Sequence, residues 1–266
     1  MNKNLLTAST WMRVVIGVVA GAFFVIPVVC TVEYTFRDKG GHSLVHWAGL
    51  VDPANRSAYQ PVWTGLMNSL VLMIVTVVIV LFLLAPTMIL VNLRFRGLRR
   101  IFEFVALLPI SIPAVVVVVG LAPIYLVIGR TLGTGAWTLA FAYGIVAMPF
   151  AFRPIQASID TVDIETLSEA ARSLGASWLR TIWKVLAPNL RPGLLNASLI
   201  SVAVVLGEYT IASLLNRQNL QTSLVLVSRQ DGYIAVVFSL LALAFCFILL
   251  LVIGRTGNLK PRRHSR

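Results

Sequence analysis

Six stretches of this chain are apolar for about as long as a helix needs to cross the hydrocarbon of a bilayer, roughly 20 residues. They cover approximately 12–35, 66–91, 101–127, 135–156, 190–212 and 233–254. In lipid every backbone polar group needs an internal partner, and apolar runs of this length meet that need as helices. Composition agrees, with 58% of residues hydrophobic and 12% charged, against about 25% charged in soluble domains. The expected fold class is an all-α integral membrane protein, six transmembrane helices in a single unit over 1–266. No internal repeat, low-complexity tract or soluble domain interrupts it. The first run is too long for a signal peptide and lacks a small-residue cleavage site, so it is expected to be a retained span.

Within these runs a few residues stand out. The third holds Pro109, Pro113 and Pro123, which membrane helices tolerate as kinks. Gly17 and Gly21 in the first form a small-xxx-small pair that permits close helix approach. Cys30 and Cys246 both fall in apolar runs and read as small buried hydrophobes.

Net charge is +12, from 22 Lys and Arg against 10 Asp and Glu. In a soluble chain such an excess would suggest nucleic acid, but here the gathering of basic residues in cytoplasmic loops explains it, and no nucleic-acid partner is expected. With the N-terminus inside, 16 of the 22 basic residues lie on the cytoplasmic side and 6 outside. Both termini are therefore expected in the cytoplasm, and the connection 157–189 becomes the longest inside loop.

That loop is polar and patterned. Asp163 is a good N-cap with Glu165 in the first turn, where the helix dipole favours negative charge. The helix is expected to reach about Leu174, with Gly175 as the left-handed residue that ends it. Ser177 then caps a second helix over 178–186, stopped before Pro188. Trp178, Ile182, Val185 and Leu186 make one apolar face of that helix, with Arg180 and Lys184 on another. By periodicity alone this is either an interfacial helix lying on anionic lipid or a docking element for a cytoplasmic partner.

Glu169, Ala170, Ala171, Gly175, Val185 and Pro188 resemble the EAA loop of the permease subunits of binding-protein-dependent ABC importers. The family pattern is E-A-A, three residues, G, nine residues, I, one residue, L-P. This chain keeps the spacing and departs at Val185, where Ile is usual, and at Ala187, where Leu is usual. The resemblance implies the type I importer permease fold, with this loop as a coupling helix seated in an ATPase subunit. It implies coupling roles for Glu169, Ala170, Ala171, Arg172, Gly175, Ala176 and Arg180. It also implies the partners: a second permease subunit that is a different chain, two ATPase subunits that use ATP and Mg, and an extracytoplasmic solute-binding protein, all at a bacterial inner or plasma membrane. Within the family, "IPVVCTVEYTF", "RFRG" and "LGASWLRTIWKVLAPNLRPGL" look most like the spermidine/putrescine branch. The "GEY" at Gly207–Tyr209 is also similar to that of sulfate, molybdate and ferric-iron permeases. The implied solute is a polyamine or similar small cation, the alternative an oxyanion or ferric iron.

No phosphate-cradling G-x-x-x-x-G-K-[ST], no H-E-x-x-H and no Cys cluster occurs. The chain is expected to be non-enzymatic, with no catalytic residues, no resident metal and no cofactor of its own. His42 and His46, in the outside loop 36–65, read as solvated loop residues. Glu33 and Glu103 sit at span ends, and Arg153 reads as a snorkelling anchor. Glu208 is different. An ionisable residue within a span is a functional candidate by default, and Gly207 and Tyr209 flank it. It reads either as a carboxylate satisfied by a neighbouring helix or as an acid lining the path. Span five lines the translocation path in the resembling family, which assigns Glu208 and Tyr209 to the path or its gate. Rival readings of another class are an ATP-independent secondary transporter and a membrane scaffold whose amphipathic loop binds only lipid.

Overall fold

The computed structural model describes residues 10–38 and 40–257. Lys39 and the terminal basic residues used for orientation (Lys3, Lys260, Arg262, Arg263 and Arg266) lie outside them. The described residues form two compact units, 10–59 with 226–243, and 60–225 with 244–257.

In the first unit, α1 (Thr10–Tyr34) carries Pro27 inside it and has no buried residue. Cys30 is accordingly exposed, contrary to the expectation that it packs as a core hydrophobe. The loop expected from 36 to 65 is instead largely ordered. A hairpin pairs β1 (Arg37–Asp38) with β2 (Gly41–His42), and α2 (Val45–Gly49) follows. Asp52 accepts from the Ala54 amide at 2.9 Å and opens a 3₁₀ turn, Pro53–Asn55. From there α3 (Arg56–Ile79) begins ten residues ahead of the expected span, since the cap and Pro53 at the first helical position supply a start signal. The histidines are not simply solvated. His42 Nε2 lies 3.1 Å from Glu33, while His46 stacks on Tyr233 at 4.5 Å and meets the Arg37 carbonyl at 3.0 Å.

The second unit holds the main cores. The α3 rod passes through a π turn, Val80–Leu84, into α4 (Ala85–Arg94). A 3₁₀ turn, Arg96–Leu98, leads to α5 (Arg99–Ser111), and α6 (Ala114–Thr131) follows. The run 101–127, expected as one kinked span, is thus two helices. Ile112 is extended (φ −103°, ψ 125°), the conformation that Pro113 imposes on its predecessor. Pro109 and Pro123 stay within their helices.

After a 3₁₀ turn, Ala136–Leu139, α7 (Ala140–Thr161) runs out to α8 (Ile164–Ser173). The chain returns through α9 (Trp178–Arg180), a π turn at Thr181–Leu186 and α10 (Ala187–Asn189). It then bends by 82° into α11 (Arg191–Gly207). Pro188 therefore does not stop the second helix. The ring of a helical proline presses on the carbonyl four residues back. For Pro188 that is Lys184, and for Pro86 it is Phe82, each inside a π turn whose wider coil relieves the crowding.

The run 190–212 also ends early. α11 stops at Gly207, Glu208 is extended, and α12 (Thr210–Leu214) is a separate turn. The connection beyond it contains a helix that periodicity missed, α13 (Leu220–Ser228), before α14 (Gly232–Gly257). By length and apolarity five described helices can cross a membrane, or six if the bent pair 178–189 and 191–207 counts as one.

α7 and α11 pack antiparallel, with Gly193 at the start of α11 against Ser158 near the end of α7. One core cluster, including Met88, Ile155, Ile164, Leu186 and Leu190, lies at that end. A second, including Leu72, Tyr143, Val205 and Ile211, lies at the other.

Candidate functional site

The 163–189 segment is built by local capping. Asp163 accepts from the Thr166 amide at 3.1 Å and from its hydroxyl at 2.7 Å. Those two hydrogen bonds, the hydroxyl's first, hold its carboxyl below the usual aspartate range. At the far end of α8 the Gly175 amide donates to the Arg172 carbonyl (2.9 Å) and the Ala176 amide to that of Ala171 (3.1 Å). With Gly175 at φ +83°, this is the paired 5→2 and 6→1 closure of a Schellman turn. Ser177 Oγ then accepts from the Arg180 amide at 3.4 Å. Across the turn the Arg172 guanidinium lies over the Trp178 ring at 4.5 Å and ties the two helices together, a contact worth about 0.5–1 kcal/mol when exposed.

The buried side of α8 is Ile164, Ser168 and Ala171. Glu169, Ala170, Arg172, Gly175 and Arg180 are exposed, and Ala176 is half-buried. The structure thus brings six of the seven residues of interest to an accessible tip and turns Ala171 inward. Leu174 (89% exposed) and Leu179 (72%) share that tip. Nothing in residue type set them apart, because leucine is ordinary in an amphipathic helix.

A polar corner at the base of α8 also escaped the sequence reading. Arg96 pairs with Glu165, and Arg99 Nη2 meets Asp160 Oδ1 at 2.7 Å. The same Asp160 oxygen accepts from Gln156 Nε2 at 3.0 Å, and the Gln156 and Asn92 amides pair reciprocally at 3.2 and 3.3 Å. By sequence Arg96 and Arg99 are orienting charges, and Arg96 also belongs to the "RFRG" run. Apart from Gln156 and Asp160, one helical turn apart, the partners are about 60–70 positions apart in sequence (61 for Arg99 and Asp160, 64 for Asn92 and Gln156), so no local pattern marks them.

Glu208 and Tyr209 lie at the opposite end of the α7–α11 pair, in the break between α11 and α12 rather than within a helix. The Glu208 carboxylate accepts from the Ile211 amide at 3.0 Å and so caps α12. Asn219 Nδ2 donates to the Glu208 carbonyl (2.6 Å) and to Tyr143 Oη (3.0 Å). Gln221 Nε2 supplies the Leu206 carbonyl at 2.8 Å. The carbonyls orphaned at the end of α11 are thus satisfied by side chains at the start of α13, where Asn219 and Thr222 cap each other (2.9 Å each way). Glu208 is half-buried and Tyr209 is 39% exposed.

Known proteins resemble parts of this chain. It is 30% identical over 159 residues to a probable sulfate transport system permease protein, cysT, of Chlorokybus atmophyticus, covering 54% of this chain and 55% of the relative. It is 28% identical over 120 residues to the spermidine/putrescine transport system permease protein PotC of Haemophilus influenzae, 45% of each chain. A probable D-methionine transport system permease protein, MetI, of Vibrio cholerae is 34% identical over 104 residues, 38% of this chain and 44% of its own. The chain thus spans about half the length of these relatives. Residues 86–257, from α4 to the end of α14, match the family of binding-protein-dependent transport system inner membrane components. The match takes in the capped 163–189 segment, the polar corner and the helix break, and the chain is a multi-pass member of that family.

Proposed function

We propose that this chain is the permease subunit of an ATP-driven importer and forms half of a solute path that works by alternating access. The observation that carries the reading is the accessible helix–glycine–helix tip at 163–189, held in a fixed turn within a member of this permease family. In this reading 163–189 faces the cytoplasm and docks on an ATPase subunit through its tip, residues 169–180. Ala170, Gly175 and Ala176 allow close backbone approach, Glu169 and Gly175 position the coupling helix, and Arg172 and Arg180 meet acids on the partner. ATP and Mg are bound by that partner and not by this chain. A second, different permease chain completes the path, and a solute-binding protein delivers from outside. Glu208 and Tyr209 line or gate the path.

The solute is read as a polyamine or a similar small cation, from the resemblance of the spermidine/putrescine branch and the single acid at the α11 break. Similarity to sulfate permeases supports an oxyanion as the second reading. The test is purification of the chain with the products of its neighbouring genes. ATPase and binding protein are expected to co-purify, and loaded binding protein to stimulate ATP hydrolysis. A chain that transports without any ATPase would be a secondary transporter, and one that neither transports nor recruits an ATPase a scaffold. Calorimetry of the neighbouring binding protein against spermidine and sulfate decides between the two solutes.

A further inference from the structure

We propose that the polar corner joining α4, α7 and α8 is the link through which displacement of the 163–189 tip reaches the long helices, with Arg96 and Glu165 as its positioning pair and Asp160 as its hub. The proposal rests on the importer reading above. A tip that moves with an ATPase is useful only if the helices behind it follow in register. The apolar side of α8, through Ile164, packs in the same core as Leu186. Apolar burial is non-directional, so such a contact resists separation far better than sliding. Charge-assisted hydrogen bonds have direction.

The corner supplies them in series. Glu165, in the first turn of α8, is held by Arg96 in the turn after α4. Three residues on, Arg99 opens α5 and holds Asp160 in the last turns of α7 at 2.7 Å. Asp160 receives Gln156 one helical turn back, and Gln156 exchanges hydrogen bonds with Asn92. Asn92 is buried and fastened to its own helix through the Met88 carbonyl at 2.8 Å. The relay thus ends in the backbone of α4 on one side and in α7, the antiparallel partner of α11, on the other. Both ion pairs are about half exposed, and exposed pairs add little to stability. Holding register is the role their geometry suits.

The test uses the whole complex purified with its neighbouring subunits in lipid nanodiscs, with binding protein charged with spermidine or sulfate, whichever it retains. Arg96→Glu and Glu165→Arg are compared singly and combined, beside the milder Glu165→Gln. The amount of ATPase retained and its basal hydrolysis are expected to stay unchanged. Stimulation by binding protein is expected to fall about fivefold or more in each single variant, the scale of an allosteric coupling, and to return in the charge-exchanged double variant. A merely structural pair would lower retention and basal hydrolysis together. Full stimulation in the single variants, or failure of the exchange to restore it, overturns the proposal. If a charge reversal reduces insertion, Glu165→Gln and Arg96→Gln carry the same comparison. A wild-type chain that retains no ATPase overturns the importer reading itself, and the relay with it.

Discussion

Gly175 shows how little is needed at the scale of one residue to shape the accessible tip. An added Cβ there would meet nothing within 4 Å, so no neighbour opposes a larger side chain. The constraint is its φ of +83°, which costs a residue with a Cβ about 1–2 kcal/mol. Asparagine visits that region more readily than alanine, and a β-branched residue less readily. Stability of the α8–α9 turn is therefore expected to fall in the order Gly, Asn, Ala, Val. Amide exchange over 164–180 in nanodiscs measures it, and Gly175→Val is expected to uncouple ATP hydrolysis from uptake while the chain still inserts. Equal protection in the glycine and valine forms would show that the turn does not depend on its backbone. This residue was readable from the sequence, as were the caps at Asp163 and Ser177, because each bonds only to residues within five positions of itself. Arg172 was not, since its place over Trp178 exists only after the turn has formed.

At the scale of elements, the sequence marks where lipid-length helices lie and is less informative about where they break. Pro113 ends α5 through its effect on Ile112, while Pro109 and Pro123 leave their helices intact. Pro86 and Pro188 are absorbed by π turns. All five are prolines in apolar surroundings, and residue type alone does not separate these three outcomes. The break at Glu208 depends on Asn219 and Gln221, more than ten residues downstream, and Asn219 is held in turn by Tyr143, 76 positions away. No periodicity records such a pairing. The close pairing of α7 with α11 likewise depends on one glycine. A Cβ at Gly193 would lie 2.5 Å from the Pro154 carbonyl oxygen and 2.6 Å from Ser158 Cβ and Oγ, so the helices must part to admit it. Gly193→Ala is expected to cost about 1–3 kcal/mol, the usual scale of overpacking, read as a lower thermal midpoint in nanodiscs. Adding Ser158→Gly is expected to recover part of the loss, because one of the two obstructing groups is then gone. A Gly193→Ala chain as stable as wild type would mean that the helix pair adjusts freely.

At the scale of the whole chain, α7 and α11 span both core clusters of the larger unit and connect the two candidate sites at its ends. The 22 residues of α7 rise by about 33 Å. The 163–189 tip and the polar corner stand at one end of that length, the Glu208 break and its Asn219 brace at the other. In the proposed importer, a pair of helices packed as closely as Gly193 allows is expected to move as a body and to deliver at the break a shift imposed at the tip. There the helix is interrupted, and side-chain hydrogen bonds from Asn219 and Gln221 supplement the local backbone bonds and the packing of Ile211. Glu208 is the charged member of that break, and its carboxylate has two separable properties. As a hydrogen-bond acceptor it caps α12 through the Ile211 amide, and as an anion it attracts a cation. Glu208→Gln keeps an acceptor oxygen for the Ile211 amide and removes the charge, so the substitution tests the second property with the first preserved. For a cationic solute, loss of one favourable charge interaction is expected to reduce uptake by about tenfold, the equivalent of roughly 1.4 kcal/mol. Uptake of radiolabelled spermidine into vesicles carrying the complete importer, with thermal stability measured alongside, checks it. Unchanged kinetics with unchanged stability would leave Glu208 as a helix cap and remove the charge argument for a polyamine. A gain in sulfate uptake in the same variant would instead place an anion in the path, where the native carboxylate had opposed it.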